Sequence, residues 1–353
     1  MAYCRNANVV VTGGAGFIGS HLVDRLLALG NQVLVIDDFS SGSRANLASH
    51  AADPRLRIAE ADICDEGAML SLLSGADAVF HLACRNVRLS LKRPTIVHDV
   101  NATGTLNLLK AAAAAKVGRF LYCSSSEVNG TADVVPMPED YHFKPETIYG
   151  ASKLTGEYYT QVFYRAGWLE TVIARPHNNY GPREHYKGVL GEVIPRFILL
   201  GLAGKPPVIF GDGAQTRDFT YVEETADFLV RLASSDQAVG RAFNVCRGQE
   251  VSVLEIARLV GELTGLDQPP VFAPGRPSDV LRLFGDAARL RDLLGEVPKI
   301  SIREGLARTT EWFRRNVPVN AALLASLEVG NWEAVEAEPW LARWAQRREG
   351  GRQ

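Results

Sequence analysis

The sequence predicts an α/β protein built on a doubly wound parallel sheet, followed by a smaller C-terminal substrate-binding lobe. Three observations predict it. Short apolar, β-rich runs alternate with helix-length segments through the first 175 residues. A glycine-rich turn joins the first such run to the first helix. After Arg175 the rhythm changes to helices separated by prolines, which marks a second region.

The elements follow in order. Val9–Thr12, Gln32–Asp37, Arg57–Glu60, Ala78–Leu82, Arg119–Ser124 and Thr171–Arg175 read as strands. Runs such as Val33-Leu34-Val35-Ile36 lack a polar face, so they belong in a sheet covered on both sides. Helical segments fall at about 17–30, 66–74, 93–116 and 146–167. Later helices fall near 191–204, 221–234, 252–265 and 301–316, with Pro195, Pro206, Pro207, Pro269, Pro270, Pro274 and Pro277 within or between them. This divides the chain into a nucleotide-binding region over 1–175, with strands returning from later segments, and a substrate lobe over 176–316. A tail over 317–353 has no assigned role.

The turn after the first strand carries the strongest chemistry. Gly13, Gly16 and Gly19 have the spacing of a dinucleotide-binding turn in its GxxGxxG form. Gly13 permits the tight turn, Gly16 lets a pyrophosphate approach the backbone, and Gly19 lets the helix pack closely. Phe17 and Ile18 begin that helix, whose unpaired N–H groups favour phosphate. Asp37 ends the second strand about 24 residues after Gly13, where a carboxylate binds ribose hydroxyls and repels a 2′-phosphate. NAD is therefore expected over NADP. Asp38 can share the role, and nearby Arg44 leaves NADP open. Asp62 and Ile63 follow the third strand and are placed to flank the adenine. Leu82 and Ala83, after His81, end the fourth strand where a cofactor crosses the sheet edge. His81 itself is read as a structural histidine.

Composition bounds the rest. The chain has 353 residues, 46% of them apolar, enough for a large core. A formal charge of −2 and a pI near 6.4 give no electrostatic reason to expect nucleic acid or a membrane surface. No apolar run reaches the ~18 residues of a membrane span, and the N-terminus runs directly into the first strand. Cys4, Cys64, Cys84, Cys123 and Cys246 are scattered and lack CxxC spacing, which reads as reduced thiols in a cytoplasmic protein with no metal site.

Tyr149 and Lys153 stand four residues apart, on one helix face. A phenol near pKa ~10 is a poor base at neutral pH, but a neighbouring ammonium favours the phenolate. Tyr149 is then the base for a sugar hydroxyl, Lys153 its activator and a ribose ligand. Ser124-Ser125-Ser126 end the fifth strand at the edge where such sheets bind ligands, and Ser125 supplies the second hydrogen bond to the reacting oxygen.

Taken together, TGGAGFIGSHL at 12–22, Asp37-Asp38, HLA at 81–83, Asn101-Ala-Thr-Gly-Thr-Leu-Asn-Leu-Leu, SSSEV at 124–128, YGASK at 149–153, ARPHNNYGPR at 174–183 and TRDFTYVEE at 216–224 resemble the extended short-chain dehydrogenase/reductase family. The likeness spans about 8–315 and is narrower to its nucleotide-sugar epimerases, dehydratases and decarboxylases. It implies a Rossmann fold, a tightly held and recycled NAD, a nucleotide-sugar substrate and a homodimer. By position it implies that Ser124, Asn101 and Arg175 belong with the cofactor. It implies that Arg88, Asn178, Val193, Arg217 and Arg276 belong with the substrate. Two guanidiniums suit a diphosphate.

The reaction stays open among members of that group. Glu127 stands where 4,6-dehydratases keep the base for C5, and Ser126 where one branch keeps a serine and another an aspartic acid. The Ser-Ser-Glu run therefore leans toward a dehydratase. A 4-epimerase, which needs no carboxylate base, and a UDP-glucuronate decarboxylase, which needs an arginine such as Arg85, Arg88 or Arg183, remain alternatives. A non-catalytic NAD or nucleotide-sugar sensor is the remote one, because Tyr149, Lys153 and Ser125 are all kept. Asn129, where the resemblance has tyrosine, is expected beside the reacting sugar. Cys84 and Ser278 are further departures from the pattern.

Overall fold

The computed structural model describes residues 3–275 and 281–327. Arg276, Ser278 and the tail beyond residue 327 lie outside the described residues.

Seven parallel strands form the central sheet. They are β1 (Asn8–Thr12), β2 (Gln32–Asp37), β3 (Leu56–Glu60), β4 (Ala78–His81), β5 (Arg119–Cys123), β6 (Thr171–Pro176) and β7 (Ala242–Val245). Their spatial order is β7-β6-β5-β4-β1-β2-β3, with Val9 opposite Val33 on one side and opposite Ala78 on the other. The order reverses at β1, so a crevice opens between the carboxyl ends of β1 and β4.

The period-2 pattern of the strands builds two cores. Val9, Val11, Val35, Phe80 and Leu121 face Leu22, Val23 and Leu26 of the helix Phe17–Ala28 and Ala226 and Leu229 of the helix Val222–Ser234. Val10, Ile36, Val79, Phe120 and Tyr122 face Met69, Leu108 and Leu109 on the other side. A third core, with Ile194, Phe197, Ile256, Leu259, Leu306 and Phe313, holds the C-terminal lobe together. Apolar residues all along the strands are thus consumed by helices on both faces.

The helices of the C-terminal half, Val193–Leu202, Val222–Ser234, Val253–Thr264 and Ile302–Asn316, lie within two residues of the expected bounds. The segment 93–116 differs. It is divided into Pro94–His98, a wider turn over Asp99–Gly104 with π-type bonding, and Thr105–Ala114. No helix among the described residues is long and apolar enough to cross a membrane.

Candidate active site

A cleft of about 380 Å³ opens at the carboxyl ends of β1, β2, β4, β5 and β6. The glycine turn is one wall, and its geometry requires glycine. Gly13 has φ +70°, and a Cβ there would lie 2.7 Å from the Ala83 nitrogen across the crevice. A Cβ on Gly19 would lie 2.1 Å from the Gly13 carbonyl, so the helix rests directly on the turn. Gly16 is the N-cap of that helix with no side chain to cap it, which leaves first-turn N–H groups for a phosphate. Gly16, Phe17 and Ile18 line the cleft, as do Leu82 and Ala83 opposite. These cradles, which a Cβ would fill, fit a dinucleotide.

Asp37 lies on the cleft and is held by two backbone donors, Ala15 N–H at 2.9 Å and Phe39 N–H at 2.9 Å. Burial nevertheless raises its pKa. Asp38 also lies on the cleft and pairs with Arg85 at 2.7 Å. Its pKa is lowered, because hydrogen bonds from Ser40 and the charge of Arg85 outweigh a burial effect that acts the other way. Arg44 is turned to Glu60 at 2.7 Å and stacks over Phe39. Asp62 and Ile63 line the same end. His81 is fully buried between Thr12 and Thr105, 2.8 and 2.9 Å away, and burial with Lys153 nearby holds it neutral.

The helix Ile148–Arg165 carries the reactive pair. Thr147 caps it by accepting from Gly150 N–H. Its approach to β5 depends on Gly156, where a Cβ would stand 2.2 Å from the Tyr122 hydroxyl. That hydroxyl donates to the Lys153 carbonyl at 3.1 Å, and the Lys153 ammonium sits 4.5 Å from the Tyr122 ring centroid. Tyr149, Lys153, Ser124 and Ser125 all face the cleft. Ser125 stands close to the Tyr149 hydroxyl. Burial raises the Tyr149 pKa strongly and Cys84 adds to this, while Lys153 and Ser125 pull it down. Ser124 Oγ is buried with no partner among the described residues.

Several expected ligands stand elsewhere. Arg175 is buried, gives Nε and Nη2 to Glu157 at 2.8 and 2.7 Å, and gives Nη1 to the Glu139 carbonyl. It borders a separate groove, not this cleft. A guanidinium at 1% exposure needs such a partner. Asn101 is also held by protein partners. Its amide clamps the Arg85 backbone and Ser152, fixing the loop after β4. Ser126 is buried and absent from the cleft wall. Asn129 is buried too, donating to the carbonyls of Tyr141 and His142, so it braces a loop. Val193 packs onto the lobe core, and Leu190 and Glu192 just before it reach the cleft instead.

On the substrate side, Asn178 lines the cleft with a buried Oδ1 that has no partner among the described residues. Glu127 lies off the cleft wall, near Arg217 and Arg88. Burial raises its pKa, opposed first by Arg217. Arg88 makes a two-pronged ion pair with Glu192, 2.7 Å on both arms. Arg183 pairs with Asp24 at 2.8 Å.

His177 is one of the cleft residues that sequence reasoning missed. It is 4% exposed, its Nδ1 has no partner among the described residues, and burial lowers its pKa to about 4. The signal was present in ARPHNNYGPR, immediately before Asn178.

Comparison with known proteins accords with this geometry. The model of the NAD dependent epimerase/dehydratase family matches residues 9–246. A UDP-glucose 4-epimerase of Mycolicibacterium smegmatis is 38% identical over 86% of this chain and 98% of its own. UDP-glucuronic acid decarboxylase 2 of Arabidopsis thaliana is 36% identical over 89% of this chain and 69% of its own. A dTDP-glucose 4,6-dehydratase of Streptomyces venezuelae, solved with NAD, superposes with a TM-score of 0.82 at 33% identity, over 88% of this chain and 97% of that one. The glycine cradle, the Tyr149–Lys153 pair and these likenesses agree: the chain belongs to the NAD dependent epimerase/dehydratase family.

Proposed function

We propose that this NAD-dependent nucleotide-sugar enzyme is a 4-epimerase of a neutral nucleoside-diphosphate hexose. The supporting observation is that Ser125, Tyr149 and Lys153 share the cleft while Ser126 does not. That set is sufficient for oxidation at C4, and neither Ser126 nor Glu127, which stand at the acid and base positions of a dehydratase, lines the cleft with it. When bound, NAD supplies the hydride acceptor and donor. Tyr149 takes the proton of the C4 hydroxyl and returns it after the ketone has turned over. Ser125 hydrogen-bonds the same oxygen, and the Lys153 ammonium offsets the cost that burial places on the phenolate. Asn178 and Arg217 hold the diphosphate. Asp37 takes the adenosine ribose, and Arg44, engaged by Glu60, is withheld from a 2′-phosphate.

A second reading, 4,6-dehydration, is favoured by Glu127. Its buried, pKa-raised carboxyl is suited to taking a C5 proton and passing it to a departing hydroxyl. Decarboxylation has weaker support, because Arg85, Arg88 and Arg183 are each already matched by a carboxylate. We place the enzyme in the cytoplasm, in keeping with five free cysteines, and as a homodimer. Light scattering tests the dimer.

The reaction is tested in D₂O with NAD and a panel of UDP-, dTDP- and GDP-hexoses and UDP-glucuronate. An isomer of unchanged mass with no deuterium at C5 is expected. Loss of water with deuterium at C5 establishes the dehydratase, and loss of carbon dioxide the decarboxylase.

A further inference from the structure

A second groove, of about 350 Å³, is lined by residues that the cleft does not use. The C-terminal half of the helix Ile148–Arg165, the loop 139–143 and the start of the edge strand β7 border it. Successive residues of β6 divide the two sites: Arg175 borders the groove and Pro176 the cleft. Three aromatic rings belong to the groove wall, and each is fixed by its neighbours. Tyr164 lies against the Gly240 backbone, where a Cβ would stand 2.1 Å from the ring. The Tyr141 hydroxyl accepts from the Asp133 N–H at 2.7 Å. The Phe143 ring has the Arg175 guanidinium 5.0 Å from its centroid and meets Tyr158 edge-on. Two of the groove's cations are matched, Arg175 by Glu157 at 2.7 Å and Arg289 by Glu139 at 3.4 Å. Arg165 and Arg241, both exposed, are not. Arg165 donates to the Gln161 side chain at 3.2 Å and Arg241 to the Gln237 carbonyl at 3.3 Å, and neither meets a carboxylate among the described residues. Asp140, exposed on the same groove, has no ion pair among the described residues. Two unmatched cations against one unmatched acid leave the groove with an excess positive charge, in a chain whose formal charge is −2.

We infer that this groove is a second binding site, for a small aromatic phosphate: a planar ring carrying a phosphate monoester, the class to which nucleoside monophosphates belong. The fixed rings take the planar part, and Arg165 and Arg241 take the phosphate. A guanidinium pairs with phosphate oxygens through parallel N–H bonds and also stacks on aromatic faces. Asp140 accepts from a hydroxyl or ring N–H of the ligand. The volume lies within the range of small-molecule pockets. Rings already held in place need little ordering when the ligand arrives. The site does not depend on which reaction the cleft performs.

Ligand-observed proton and phosphorus NMR on the NAD-loaded protein, with phenyl phosphate as the probe, tests this without turnover. Phenyl phosphate is expected to bind with a Kd below about 1 mM. Inorganic phosphate and phenol, each half of the probe, are expected to bind at least about tenfold more weakly. Arg165→Gln combined with Arg241→Gln is expected to weaken phenyl phosphate at least about tenfold, with NAD binding unchanged. Tyr164→Leu is expected to weaken it about three- to tenfold. Asn178→Ala, in the cleft, is expected to leave it unchanged. No binding by the wild type, or equal affinity for inorganic phosphate, overturns the inference. Unchanged binding in the double arginine variant overturns it, and so does a loss in Asn178→Ala, which moves the probe into the cleft. If the double variant no longer holds NAD, Tyr164→Leu decides, and unchanged binding there overturns the inference.

Discussion

Arg175 shows at the scale of one residue why partners are harder to read than motifs. The arginine is the last but one residue of β6 and its side chain is spent on Glu157, which is itself fully buried. The partner lies on a helix that packs against β6, 18 residues away. Removing one member of such a pair leaves the other charge buried and uncompensated. Arg175→Met is therefore expected to lower unfolding free energy by ~3–5 kcal/mol in urea denaturation, with NAD affinity of the folded fraction unchanged. A fall in NAD affinity at unchanged stability would return Arg175 to the cofactor. Tyr149 and Lys153 were legible because their partnership is local, one helical turn, and because a serine edge precedes them. The Arg88–Glu192 pair, 104 residues apart, was not legible, because no local pattern announces it.

The elements themselves were legible wherever hydrophobic period and glycine spacing agree. The six expected strands and the main helices follow from that. The wider turn over Asp99–Gly104 was not, since one extra residue in a helical turn leaves both flanking stretches helical in pattern. The helix Ile148–Arg165 gives a sharper case in Gly156. By intrinsic propensity, Gly156→Ala adds about 1 kcal/mol of helix stability. By packing it does the reverse, because the new methyl group would sit 2.2 Å from the Tyr122 hydroxyl. The expected outcome is a loss of ~1–3 kcal/mol. Turnover should fall by about a hundredfold, since Tyr149 and Lys153 move with the helix. Tyr122→Phe in the same chain leaves the ring carbon 2.5 Å from the new methyl group and should restore little, whereas Tyr122→Leu removes the ring edge and should restore much of the turnover. Denaturation and steady-state rates on the single and double variants check the sign. A stabilised Gly156→Ala protein would mean the helix does not bear on β5 at that point.

At the scale of the molecule, the segment that begins the substrate lobe is fastened to the sheet by buried polar contacts as well as by apolar ones. His21, on the helix Phe17–Ala28, is 6% exposed and donates Nε2–H to the Pro182 carbonyl at 2.9 Å. Asp24 on the same helix takes Arg183 at 2.8 Å. Burial lowers the His21 pKa from 6.5 to about 4, with the Pro182 hydrogen bond opposing. The unfolded chain thus binds more protons than the folded one between about pH 6.5 and pH 4, and stability falls as pH falls through that window. From about pH 7.5 to about pH 5 the contribution lost by His21 is ~2 kcal/mol. His177 and His81, both buried and lowered, act in the same direction, whereas Asp218, raised by burial to about 6, acts in the opposite one. The total slope therefore does not isolate His21, but a difference does. His21→Gln keeps a donor and carries no titrating group. Its stability relative to wild type should improve by ~2 kcal/mol on going from about pH 7.5 to about pH 5, measured by urea denaturation at both. An unchanged difference would mean that His21 is protonated in the folded protein and that acid does not act through this contact between lobe and sheet.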